Sequence, residues 1–103
     1  MKNLTQEEWV SQLSGTPNAK ILDVRTESEI EDGRIPNAFN IDIYKGQEFI
    51  SELEKLDKNK HYFVYCRSGS RSAQACAVMK QMGFEYTYNL EGGFSQWVGD
   101  VEY

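Results

Sequence analysis

The chain is poor in cysteine, proline and histidine: two, two and one in 103 residues. Two cysteines make no disulfide framework, so the expected compartment is reducing and cytoplasmic. The lone His61 excludes a histidine cluster, and neither metal-ligand spacing nor a glycine-rich phosphate motif is present. No metal and no cofactor are therefore expected. Basic residues are outnumbered, 11 against 16 acidic, for a net charge of −5. That balance argues against nucleic acid or an anionic membrane as partner. No apolar run is long enough to span a bilayer. The opening "MKNLTQEEWVSQLSGTPNAK" has two glutamates and no apolar core of a secretory signal. Repeats, low-complexity tracts and linkers are also missing. The length suits one domain, residues 1–103, burying somewhat more than about 60% of its unfolded surface.

What is present alternates short apolar runs with helical patterns. Thr5 with Glu8 forms a capping box ahead of Trp9, Val10 and Leu13, and Thr26 with Glu29 repeats it before a short helix that Gly33 stops. "AKILDV" and "AFNIDI" read as strands. Phe49, Ile50, Leu53 and Leu56 mark a helix face. "YFVYC" is continuously apolar, as strands in the middle of a parallel sheet are. Ala75, Val78, Met79 and Met82 define the inner face of the next helix, closed by Gly83. "YTYNL" is a further strand, and "EGGFSQW" turns into a short final helix. Strands separated by helices predict an α/β fold with a parallel sheet covered on both faces.

The segment "HYFVYCRSGSRSAQA", residues 61–75, carries the chemistry. Ligands of such folds bind at the carboxyl ends of the strands, and Cys66 ends the most buried-looking one. The loop Arg67-Ser68-Gly69-Ser70 then feeds a helix from about Arg71. A curled loop of small residues turns successive N–H groups inward as an anion nest, and the helix adds its positive end. Two arginines and no acid lie within residues 66–72. Together these favour the thiolate and predict a Cys66 pKa below the free value of about 8.5. A purely structural strand-end cysteine would leave the two arginines and the helix start unexplained.

These residues resemble the rhodanese-like family of sulfurtransferases over essentially the whole chain. "ILDVRTESEIEDGRIPNAFNI" is similar to the family's first half, "YCRSGSRSAQA" to its active-site loop and "NLEGGFSQW" to its closing segment. The resemblance implies five parallel strands in spatial order first, fifth, fourth, second, third, flanked by helices, with the residues after Met1 as a short first strand. It implies that Cys66 takes a sulfane sulfur from a small anionic donor such as thiosulfate and passes it, as a persulfide, to cyanide or an acceptor thiol. Arg67, Ser68, Gly69, Ser70 and Arg71 would form the cradle, and Asp23, Arg25 and Ser72 would support it. Arg67 is assigned to donor binding, and Arg71 both to donor binding and to bracing the loop. The exposure expected of a small domain suits an acceptor thiol on a protein. Two positions depart from the family pattern. Arg34 stands where histidine is common, and Asn37 where glycine is, although asparagine tolerates a left-handed turn.

A related branch of the family handles phosphate esters or arsenate with a Cys-x5-Arg loop. Here Cys66 to Arg71 is Cys-x4-Arg, a ring with room for one added sulfur rather than a tetrahedral oxyanion. The reading assigns no general acid. A noncatalytic module for protein binding or sulfide sensing is the other alternative, and an intact Cys66 loop counts against it.

Other candidates read as structural. Cys76 lies roughly 7 Å along the helix from its start, too far for a disulfide with Cys66, and it sits at the edge of the apolar face. His61 begins its strand, near the end of the sheet opposite Cys66. Phe94 and Trp97 are expected to pack the last helix on the core.

Overall fold

The computed structural model describes residues Met1–Tyr103. Five strands, β1 (Lys2–Leu4), β2 (Lys20–Asp23), β3 (Ala38–Asn40), β4 (Tyr62–Tyr65) and β5 (Thr87–Leu90), alternate with helices α1 (Gln6–Ser14), α2 (Glu27–Ile30), α3 (Gln47–Glu54) and α4 (Ser70–Gln81). All pair in parallel in the order β1-β5-β4-β2-β3. The α/β class and the strand order implied by the family resemblance are both found, including the short first strand. No helix is long and apolar enough to cross a membrane.

β4 lies between β5 and β2, so every one of its residues is buried. Side chains alternate across the pleat. Tyr62, Val64 and Cys66 join the core formed with α3 and α4, through Phe49, Leu53, Ala75 and Met79. Phe63 and Tyr65 face the opposite core with Leu4, Trp9, Ile21 and Leu90. There the Trp9 ring meets Phe63, Tyr65 and Trp97 edge-on. Trp97 thus packs on the core as the sequence suggested.

Both capping boxes form as expected, with Thr5 accepting from the Glu8 N–H and Thr26 from the Glu29 N–H. Asn37 takes φ +70, the left-handed conformation its amide tolerates. Several boundaries differ from expectation. β3 is shorter than "AFNIDI", because Asp42 accepts from the Tyr44 N–H and turns the chain into a 3-10 turn, Ile43–Lys45. α3 ends before Leu56, which still packs against the core from outside the helix. α4 starts at Ser70, one residue early. The final helix is a single 3-10 turn, Phe94–Gln96.

Candidate active site

Cys66 follows the last residue of β4 and is completely buried. Beyond it the chain curls through Arg67, Ser68 and Gly69 into the first turn of α4. A helix begins with N–H groups that have no partner within the helix. The N-cap of α4 is Gly69, at φ +101, which has no side chain to satisfy them. The Cys66 sulfur takes that place. The Gly69 N–H donates to Sγ at 3.1 Å and the Ser72 hydroxyl at 3.3 Å. Burial pushes the thiol pKa up, but hydrogen bonds from the Ser72 hydroxyl and the N–H groups of Ser72, Gly69 and Ser68 outweigh it, and the pKa lies below its ordinary value. A sulfur held this way is anionic more readily than a free thiol, and the thiolate is the nucleophile.

The two loop arginines have different surroundings. Arg71 is a bidentate partner of Glu29, Nη1 to Oε1 at 2.7 Å and Nη2 to Oε2 at 2.8 Å, and its guanidinium lies over the Tyr44 ring. This pair braces α4 against α2, the bracing half of the role expected for Arg71. Bonding to Arg71 holds the Glu29 carboxyl far down, at about 2, and the same carboxylate receives the Thr26 N–H and hydroxyl. Arg67 makes no ion pair. It lines an open cleft with Arg25, Glu29, Asp32, Phe94 and Ser95. Ser68 and Ser70 are exposed, their hydroxyls 3.3 Å apart. Ser72, assigned a supporting role from the sequence, has its hydroxyl on the sulfur.

Asp23 and Arg25 form a buried ion pair, Oδ2 to Nη2 at 2.7 Å. The Tyr65 hydroxyl donates to Asp23 and accepts from the Ile35 N–H. Arg25 also donates to the Gly33 carbonyl and lies 4.5 Å from the centre of the Phe94 ring. One guanidinium thus ties the ends of β2 and β4 to the segments after α2 and β5. Arg34, at the position of the family's common histidine, pairs with Glu102 on the surface.

The closing segment clamps the loop. The Phe94 N–H donates to the Cys66 carbonyl and the Ser95 N–H to the Arg67 carbonyl, both at 2.9 Å. Gly93, at φ +56, lies so close that a Cβ there would come within 2.6 Å of the Cys66 and Arg67 carbonyl oxygens. Cys76 is buried in the α3–α4 core, where burial pushes its thiol up to about 12, and both cysteines are free. His61 stacks on Tyr86 and Tyr88 ahead of β4, away from the sulfur's end of the sheet.

Sequence reasoning missed the bond from Glu29 to Arg71, the clamp at Gly93 and the amide of Asn89 beside the loop. For Asn89 a signal existed: a polar amide inside a short strand candidate. Nothing local to Glu29 announces a partner 42 residues away.

Residues 6–100 match the family described as Rhodanese-like domain. A protein named Sulfurtransferase from Allochromatium vinosum is 38% identical over 98 residues, covering 94% of this chain and 89% of the relative. A tRNA uridine(34) hydroxylase from Legionella pneumophila is 34% identical over 101 residues, 95% of this chain and 39% of that protein. The crystal structure of a rhodanese-like domain protein from Staphylococcus aureus superposes with a TM-score of 0.82 at 34% identity, covering 99% of this chain and 97% of the other. A buried strand-end thiol in a hydrogen-bonded loop, on this strand order and with these relatives, makes the chain a member of the rhodanese-like family.

Proposed function

We propose that the protein is a rhodanese-type sulfurtransferase with Cys66 as its nucleophile. The observation that carries this reading is the set of donors on the Cys66 sulfur, which lower its pKa despite burial. The thiolate attacks the sulfane sulfur of thiosulfate, a persulfide or a polysulfide. A new S–S bond forms on Cys66, and the donor's S–S bond breaks. With thiosulfate the leaving sulfite takes the electron pair. The loop of residues 67–71 cradles the persulfide. An acceptor thiolate or cyanide then attacks the terminal sulfur, and Cys66 leaves as the thiolate, which is ping-pong catalysis. Arg67, the loop arginine free of an ion pair, faces the anionic donor. The acceptor is a thiol, on a protein where the exposed loop residues permit docking, in a reducing cytoplasm. The six-residue Cys66–Arg71 ring and the relative named for sulfur transfer support this over phosphate or arsenate chemistry.

The test is intact mass after incubation with thiosulfate, and with polysulfide in parallel, before and after cyanide. The expected result is a gain of one sulfur atom, lost to cyanide and absent from Cys66→Ser. Unchanged mass with both donors would overturn the proposal in favour of a noncatalytic module or, if phosphatase or arsenate assays respond, of the oxyanion branch.

A further inference from the structure

We infer that Asn89 is a positioning residue for Cys66: its amide holds the Gly69 carbonyl so that the Gly69 N–H stays aimed at the sulfur. Asn89 projects from β5, is 3% exposed, and donates through Nδ2 to the Gly69 carbonyl at 3.1 Å and to Asn3 Oδ1 at 2.9 Å. Gly69 in turn donates its N–H to Sγ at 3.1 Å. Glycine has the widest choice of φ and ψ of any residue, and the left-handed Gly69 has no side chain to anchor it. Its N–H and its carbonyl lie in adjacent peptide planes joined through its own φ and ψ, so anchoring the carbonyl restricts the swing of the N–H that faces the sulfur. The Ala73 N–H holds that carbonyl from within α4, and Asn89 holds it from the sheet. The sheet contact ties the loop to the strand next to β4, from which the sulfur itself comes.

The amide orientation follows from chemistry. The Gly69 carbonyl accepts only, so the Asn89 nitrogen must face it. That leaves Asn89 Oδ1 buried with no partner. Burying an amide oxygen unpaired is unfavourable, so stability alone favours an apolar side chain at this position. The amide supplies two donors, one to the exposed Asn3 and one to the Gly69 carbonyl, and only the second touches the loop. Stability and thiol reactivity should therefore respond in opposite directions to the same substitution.

The experiment is a pH–rate profile for iodoacetamide alkylation of Cys66, followed by mass spectrometry of the Cys66 peptide, with thermal melts of the same proteins. The variants are Asn89→Leu and Asn89→Ala, with Thr87→Val as control on the same strand, since the Thr87 hydroxyl is buried and makes no hydrogen bond to the loop. Alkylation needs no sulfur donor, so its result stands apart from that of the thiosulfate test. The expected result is an Asn89→Leu protein that melts no lower than the parent while its profile shifts to higher pH. Its rate at neutral pH should fall roughly three- to tenfold, a tenfold fall corresponding to one pKa unit in thiolate fraction. Asn89→Ala should shift the profile in the same direction even if the leucine overpacks, and Thr87→Val should leave it in place. Coincident profiles for parent and both Asn89 variants, or an equal shift in Thr87→Val, would overturn the inference.

Discussion

The Ser72 hydroxyl reaches the Cys66 sulfur from the first turn of α4, at 3.3 Å, and the Ser72 N–H supports it. Both groups favour the thiolate over the thiol, because hydrogen bonds to the charged form lower a pKa. Arg71, which by sequence position looked like the local source of positive charge, is engaged by Glu29 instead. Hydrogen-bond donors at contact distance therefore set the thiol more directly than the loop's formal charge does. Ser72→Ala should raise the Cys66 pKa and slow its alkylation at neutral pH several-fold, about what losing one hydrogen bond to a charged group allows. Rapid reaction with iodoacetamide in Ser72→Ala, indistinguishable from the parent, would shift the weight to the backbone donors.

At the scale of elements, the site is a meeting of segments tied to one another by hydrogen bonds. β4 delivers the sulfur, α4 delivers donors, and the turn after β5 clamps the loop through Phe94 and Ser95 N–H groups. Gly93 is the tightest point of that clamp. Any side chain there must displace the Cys66 and Arg67 carbonyls and also adopt a positive φ. Gly93→Ala should cost about 1–3 kcal/mol from the strained backbone alone. It should also weaken thiosulfate-dependent persulfide formation, because the same carbonyls fix the loop. A melting curve and the intact-mass assay on one preparation measure both effects. An unaltered melting temperature would mean that the closing segment relaxes without cost.

For the whole molecule, the Glu29–Arg71 pair joins α2 to α4 across the sheet's carboxyl end. The Glu29 pKa falls from an ordinary 4.5 to about 2 on folding. The unfolded chain therefore takes up this proton at a higher pH than the folded chain. The carboxylate's contribution to stability is complete above pH 4.5 and is lost as pH falls toward about 2. Glu29→Gln removes the charge of this pair while leaving an acceptor for the capping box, and should cost about 1–2 kcal/mol near neutral pH. The gap between parent and variant should close on acidification. Denaturant unfolding at several pH values checks it, and a gap that stays constant through the acid range would exclude the Glu29 carboxylate as its source.

Features that depend on neighbours along the chain were legible without coordinates. Two capping boxes, the turn at Asn37, the buried strand of residues 62–65 and the Cys66–Arg71 loop are local patterns of propensity, hydrogen bonding and apolar periodicity, and each is found within a residue or two. The strand order and the short β1 came with the three family motifs rather than from periodicity, since three residues hold too little pattern to read. Which charges are free and which donors meet the sulfur became visible only in the folded arrangement. Glu29 meets Arg71 across 42 residues, Asn89 meets Gly69 across 20, and Tyr65 meets Asp23 across 42. Such pairs form because parallel strands bring distant loops to one end of a sheet, and a charge that looks available in the sequence is then neutralised or left free by what arrives beside it.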